Sequence, residues 1–249
     1  MIHAKVQKKF RHFFMALCLI CFGYCFNVQA QGNTFFGPKH VHKAGEFSNT
    51  IRDVKISYNE KVPFEPGMIP EMELCSWTLT KNDSLITEGQ GCDPLQNYIF
   101  NSPGNYELVF DMPRAYTESL GGACFHPTLP GKYIIEVSPY KLTFDANSVT
   151  LSGSIQSGVE TSGIQLSVNV LFESFDGSTL TYNESLRSTG VETTVAGSLT
   201  GPVELVPGIN TLLFSLSGKV TNSNTFIGFD FLNTATQSLW SFALSNPIF

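Results

Sequence analysis

Basic residues are scarce in this sequence, which has 15 lysines and arginines against 21 aspartates and glutamates, for a net charge of −6. Four of the basic residues precede residue 12, so the remaining chain carries 11 basic against 21 acidic residues, a net of −10. An acidic surface repels a phosphate backbone, and no stripe of lysine and arginine is interleaved with aromatic residues. These features exclude nucleic acid as an expected partner.

Patterns typical of several other protein classes are also missing. No long window has an apolar stripe at a period of 3.6 residues, so a helical fold is not expected. Beyond the amino-terminal region, no segment is long and apolar enough to span a bilayer as a helix. The nucleophile motif G-x-S-x-G and the calcium-loop spacing D-x-D-x-D-G are absent. We therefore expect neither an enzyme nor a cofactor.

The amino terminus has the three parts of a secretory signal peptide. The basic residues are followed by an apolar run over residues 13–26, and Val28 and Ala30 then provide small residues before Gln31. This pattern predicts cleavage after Ala30, because the apolar run is too short to serve as a membrane-spanning helix. We expect an exported protein that acts outside the cell or at its surface, with the periplasm as the alternative address.

Three cysteines remain after residue 30. In an oxidising compartment, an odd number of cysteines favours one disulfide and one remaining thiol. Metal binding is the competing interpretation, but this part of the chain has no C-x-x-C pair. Cys75 and Cys92 are the candidate disulfide, because both flank one hairpin-like segment, and this leaves Cys124 over.

Alternating apolar and polar residues predict short β-strands throughout the chain after residue 50. In the clearest run, residues 164–170, every second residue is apolar. Such a run is typical of an antiparallel sheet with one face on a core and the other in water. Turn-forming residues separate the strands at short intervals, as in β-sandwiches and jelly rolls. The sequence therefore predicts an all-β fold.

A change in composition near Pro139 indicates a domain boundary. Basic residues become rare after it, and serine and threonine become frequent. We predict two consecutive β-sandwich domains that follow the signal peptide (1–30) and a flexible leader (31–50). The first (51–138) is immunoglobulin-like, and the second (139–249) is Ser/Thr-rich and either immunoglobulin-like or jelly-roll-like.

Residues 98–110 resemble the last strands of PKD-type immunoglobulin-like domains. They contain an aromatic-x-Phe, a Pro103-Gly104 turn, and then Tyr106 followed by alternating apolar residues, while Trp77 lies upstream where the family keeps its core tryptophan. The resemblance covers about residues 50–112, and the Gly-Asp-Gly that follows the tryptophan in the family is absent. It implies a spacer or recognition module of cell-surface proteins.

Scattered polar and aromatic residues provide further candidates for binding. No metal site is expected, because the imidazoles of His40, His42 and His126 and the acidic turns at Asp93, Asp145 and Asp176 lack the spacing of a ligand set. The carboxylates considered for glycoside hydrolysis are Glu71, Glu73 and Asp230. Trp240 and the phenylalanines Phe226, Phe229 and Phe231 are candidates for stacking on a sugar, although Phe229 and Phe231 alternate as core residues do.

The sequence favours an exported, non-enzymatic cell-surface or extracellular protein for adhesion, assembly or ligand binding. Its expected partner is a cell-envelope protein or a glycan. The first alternative is a carbohydrate-active enzyme or carbohydrate-binding protein with a jelly-roll domain. The second alternative is a pilus or fibre subunit, in which an exposed sheet edge accepts a strand from a neighbour.

Overall fold

The structure is a computed structural model that describes residues 51–68, 72–111, 130–221 and 226–244. The predicted signal peptide and leader lie outside the described residues. Glu71, Cys124 and the three candidate histidines also lie outside them.

Antiparallel β-strands dominate the described part of the chain, so the predicted all-β class is confirmed. The strands are β1 (Ile51–Ser57), β2 (Ser76–Lys81), β3 (Ser84–Gln90), β4 (Gly104–Asp111), β5 (Lys132–Ser138), β6 (Tyr140–Phe144), β7 (Thr150–Leu151), β8 (Gln165–Ser174), β9 (Leu180–Tyr182), β10 (Leu186–Thr189), β11 (Ala196–Leu199), β12 (Val203–Leu205), β13 (Gly208–Ser217), β14 (Gly228–Asn233) and β15 (Ser238–Ala243). The helical elements that lie wholly within the described ranges include one short helix, α1 (Asp93–Gln96), and two 3₁₀ turns, Pro66–Met68 and Ala146–Ser148.

The first five strands form one sheet in the order β1-β5-β4-β2-β3, with β1 parallel to β5 and the other pairs antiparallel. Tyr106, Leu108 and Phe110 are buried on one face of β4, as the period of two requires. Leu95 from α1 and Phe100 from the following loop join the same core. The inner face of this sheet is therefore covered partly by segments that are not strands.

The second sheet has the order β15-β14-β10-β11-β13-β8-β6, with β7 also paired to β8, while β9 and β12 form a separate two-stranded sheet. This large sheet curls until its two ends approach each other. The ring of Phe144 in β6 lies 5.4 Å from that of Phe231 in β14 and 5.7 Å from that of Trp240 in β15. The Asn233 side-chain amide donates to the Leu142 carbonyl at 3.2 Å, which bridges the gap between the ends.

The buried apolar residues fall into two separate clusters, which we call the first core (members from Val54 to Val137) and the second core (members from Leu142 to Ala235). The backbone passes between them at Pro139, whose carbonyl accepts a 2.8 Å hydrogen bond from the Phe175 amide. Tyr58 packs edge-on against Phe175 at 5.8 Å. The two sandwich domains and their boundary nevertheless stay predictions, because separate clusters do not establish independent folding.

Within the described ranges, no helix has the length and apolar character needed to cross a membrane.

Candidate functional site

A cleft of about 400 Å³ lies where segments of the two cores meet. One wall comes from β1 and the segment that follows it, including Lys55, Glu60 and Lys61. The opposite wall comes from β6, from the turn after β14 and from β15, which contributes Trp240. This volume is within the usual range of small-molecule sites, and junctions between structural units are common places for them.

Strand alternation places the groups that line the cleft. In β1, Val54 and Ile56 are buried, so Lys55 between them points the other way. In β15, Trp240 is half-buried between the exposed residues Leu239 and Ser241. The edge strands β1 and β15 therefore both contribute residues to the lining, among them Lys55 and Trp240.

The Trp240 indole packs against the second core. It stacks on Phe144 with 26° between the ring planes, and it contacts Phe231 at 5.4 Å. Phe229 and Phe231 are 0% and 1% exposed, so they are core residues, as their alternation predicted. Of the aromatic candidates, Trp240 lines the cleft, while Phe226 is exposed away from the lining.

Glu60 is held in place at the cleft by its neighbours. Its Oε2 accepts the Ser57 backbone amide at 3.1 Å, and its Oε1 lies 3.5 Å from the Lys141 Nζ. Its backbone forms a bridge with Phe100. This carboxylate therefore links the segment after β1 to Lys141 of β6.

Hydroxyl and amide side chains complete the lining. Thr143, Thr236 and Ser238 contribute hydroxyls, and Asn233 contributes an amide whose nitrogen is bonded to the Leu142 carbonyl. Thr236 and Ser238 share a hydrogen bond of 2.7 Å between their hydroxyls. The cleft thus combines one aromatic face with several neutral donors and acceptors.

The candidate disulfide residues flank the β2–β3 hairpin, with Cys75 immediately before β2 and Cys92 two residues after β3. Both are buried, and the Gly91 amide donates to the Cys75 carbonyl at 3.1 Å. No bond joins the Cys75 and Cys92 sulfurs in the structure, and the Cys92 thiol donates a hydrogen bond to the Glu73 carboxylate. The Cys75–Cys92 disulfide therefore stays a prediction for the exported chain.

Glu73, Cys92 and Asp93 form a group of potential metal ligands that the sequence patterns did not indicate. Their ligand atoms all lie within 4.8 Å of one another. No sequence spacing indicates this group, because Glu73 is 19 residues from Cys92 and comes close through the pairing of β2 with β3. As it stands, the group is a thiol–carboxylate hydrogen bond with an exposed acid beside it.

The Cys92 thiol should be unusually resistant to ionisation in the reduced chain. Its hydrogen bond to Glu73, and secondarily its burial, raise its pKa to about 11. We expect the alkylation rate of Cys92, followed by peptide mass spectrometry, to keep rising with pH above pH 9, because only the thiolate reacts. Glu73→Gln should move this rise to lower pH, while Glu88→Gln in β3 should not. A rise already complete by pH 9 would contradict the arrangement.

The remaining acidic candidates bond their own surroundings. Asp145 accepts the Asn147 amide at 2.9 Å and so caps a 3₁₀ turn. Hydrogen bonds from the Ser178 hydroxyl and amide, and then from Ser174, lower the pKa of Asp176 to about 2. Asp230 accepts the hydroxyl of Ser241, its partner across the β14–β15 ladder. None of these carboxylates is among the residues that line the cleft.

Comparisons with known proteins do not establish a family. No protein-family profile matches the sequence, and no curated protein is significantly similar to it. Among solved structures, a β-glucuronidase from glycoside hydrolase family 2 resembles the chain with a TM-score of 0.23 and 12% identity. The superposition covers 70% of this chain and 17% of that enzyme. A similarity of this size identifies neither a family nor an activity.

Proposed function

We propose that this chain is an exported, non-enzymatic protein that binds a glycan in the cleft between its two cores. The observation that carries the proposal is the lining of the cleft, where the Trp240 indole lies among hydroxyl, amide and charged side chains. The signal-peptide pattern of residues 1–30 supports a site of action at the cell surface or outside it.

A sugar ring has the chemistry that such a lining recognises. The C–H faces of a pyranose can pack on an indole, and its hydroxyls can exchange hydrogen bonds with amide and hydroxyl groups. Trp240 is stacked on Phe144 and therefore needs little ordering when a ligand arrives. A rigid aromatic platform lowers the entropic cost of binding.

The positions of the acids favour binding over hydrolysis. Glycoside hydrolysis usually requires two carboxyl groups that flank the scissile bond. Among the described residues that line the cleft, Glu60 is the one carboxylate. It accepts a hydrogen bond from the Ser57 amide and forms an ion pair with Lys141. The alternative function is that of a carbohydrate-active enzyme, which would release sugar products from a glycan.

The test is a panel of immobilised oligosaccharides probed with the chain from Gln31 onward. We expect binding to at least one glycan, and we expect Trp240→Ala to weaken it about tenfold, since an aromatic stacking contact is worth about 1.5 kcal/mol. The control is Leu239→Ala, because Leu239 is the exposed neighbour of Trp240 on the same strand. Absence of binding to every glycan would contradict the proposal, and release of sugar products would contradict its non-enzymatic part.

A further inference from the structure

We infer that the glycan is acidic, with a sugar carboxylate that pairs with the ammonium group of Lys61. This inference rests on the proposed function, since it specifies the ligand class of the same cleft. It comes from the distribution of charge around the cleft, whereas the proposed function comes from the aromatic and neutral polar groups.

Lysines gather at this cleft although the chain as a whole is acidic. The sequence has 15 basic and 21 acidic residues, yet Lys55 and Lys61 both line the cleft and Lys141 lies against Glu60. A concentration of one sign of charge in a concave site raises the local concentration of ligands of the opposite sign.

Two of these lysines are already neutralised. The Lys55 Nζ lies 2.8 Å from the Glu136 Oε1, and Lys141 is paired with Glu60. A ligand carboxylate therefore does not meet a bare Glu60, because Lys141 offsets that charge. Each of these ion pairs has a net charge of zero, so neither contributes to the net charge of the cleft.

Lys61 is the lysine whose charge is left over. Its Nζ donates to the neutral Asn97 Oδ1 at 3.2 Å, and no ion pair of the described residues includes it. The cleft consequently has a net charge of one positive unit. An ammonium group has three donors, so the bond to Asn97 leaves donors for a carboxylate.

The backbone on both sides fixes the base of the Lys61 side chain. The preceding Glu60 forms a bridge with Phe100, and the following Val62 is 4% exposed in the first core. The site is thus built on an anchored segment, and a charge-assisted hydrogen bond there is shorter and stronger than one between neutral groups. A neutral sugar would gain no such bond.

The experiment compares acidic oligosaccharides with uncharged counterparts, using isothermal titration of the chain from Gln31 onward. The probes are oligomers of galacturonic acid, glucuronic acid and sialic acid. Each is paired with the same oligomer after its carboxyl groups have been reduced to alcohols. We expect at least one acidic oligomer to bind about fivefold more tightly than its neutral counterpart, the size of a favourable ion pair with an exposed ammonium group such as that of Lys61. That preference should fall as sodium chloride rises from about 50 to about 300 mM, since salt screens the pair.

Lys61→Gln should remove the preference for the acidic oligomer, while Lys219→Gln, which alters an exposed lysine outside the cleft, should keep it. Equal binding of acidic and neutral oligomers, or a preference that survives Lys61→Gln, would overturn the inference. Binding that still depends on Trp240 would in that case leave the proposed function standing. If no oligosaccharide of either kind binds, both fail.

Discussion

Val168→Asp should abolish the cooperative melt of the second core, whereas Asn169→Asp should change its melting temperature little. Val168 is 0% exposed in the middle of β8, so an aspartate there would be an unpaired charge among apolar side chains. An uncompensated buried charge costs about 3–5 kcal/mol, which approaches the whole free energy of unfolding of a small domain.

Asn169 points to the opposite face of the same strand. Its Oδ1 accepts the Thr211 hydroxyl at 2.9 Å, and a carboxylate oxygen would accept it equally well. The pair of substitutions therefore separates burial from charge at adjacent positions. Circular dichroism melts of residues 139–249 and of the chain from Gln31 onward would measure both. Equal behaviour of the two variants would contradict the strand register, and an unfolded wild-type fragment would contradict the two-domain prediction.

Gly218→Ala should destabilise the second core by about 3 kcal/mol or more, for two additive reasons. Gly218 has φ of +89°, which an alanine adopts only with strain. A Cβ at this position would also lie 2.3 Å from the Thr194 carbonyl oxygen, a backbone atom that cannot rotate away. The Gly218 carbonyl accepts both the amide and the hydroxyl of Thr161, so the segment has little freedom to move.

Gly163→Ala provides the matched control for this change. Gly163 has nearly the same φ, +91°, but a Cβ there would meet no atom within 4 Å. It should cost only the backbone strain, about 1–2 kcal/mol. Urea denaturation of the two variants gives the difference, which isolates the steric term. Equal losses at the two positions would contradict the close contact between Gly218 and Thr194.

The alternation of apolar and polar residues predicts the strands that have one buried face and one exposed face. The run around Val168 became β8, and Phe229 and Phe231 were correctly indicated as core residues of β14. These positions could be predicted because each strand has one buried face, which makes the period of two visible in the sequence.

Shorter elements cannot be predicted from this alternation. Phe100 forms a β-bridge to Glu60 only a few residues after the four-residue helix α1. A four-residue helix is too short to show a 3.6-residue period. The strands β10 and β11 have four residues each, too few to show the period of two clearly, and Glu192 between them has a φ of +52°, which places it in a turn.

The cleft could not be predicted from local patterns at all. It combines Lys61, from the segment after β1, with Trp240, from the last strand, and no spacing rule connects such distant positions. Trp240 was singled out for its aromatic chemistry, whereas Lys61 was missed because a solitary lysine in a proline-rich segment has no distinguishing pattern. The curl of the second sheet, which brings β6 and β15 together, arises from packing around the second core.

Fluorine NMR of the chain from Gln31 onward, labelled with 5-fluorotryptophan, tests most directly whether the cleft is the binding site. The chain has two tryptophans, and Trp240→Phe assigns their two signals. Trp77 is buried in the first core with its Nε1 bonded to the Gly91 carbonyl at 2.9 Å, so it serves as an internal reference. Titration with the glycan that binds should shift the Trp240 signal and leave the Trp77 signal in place. Saturable binding without any shift of the Trp240 signal would contradict the proposal.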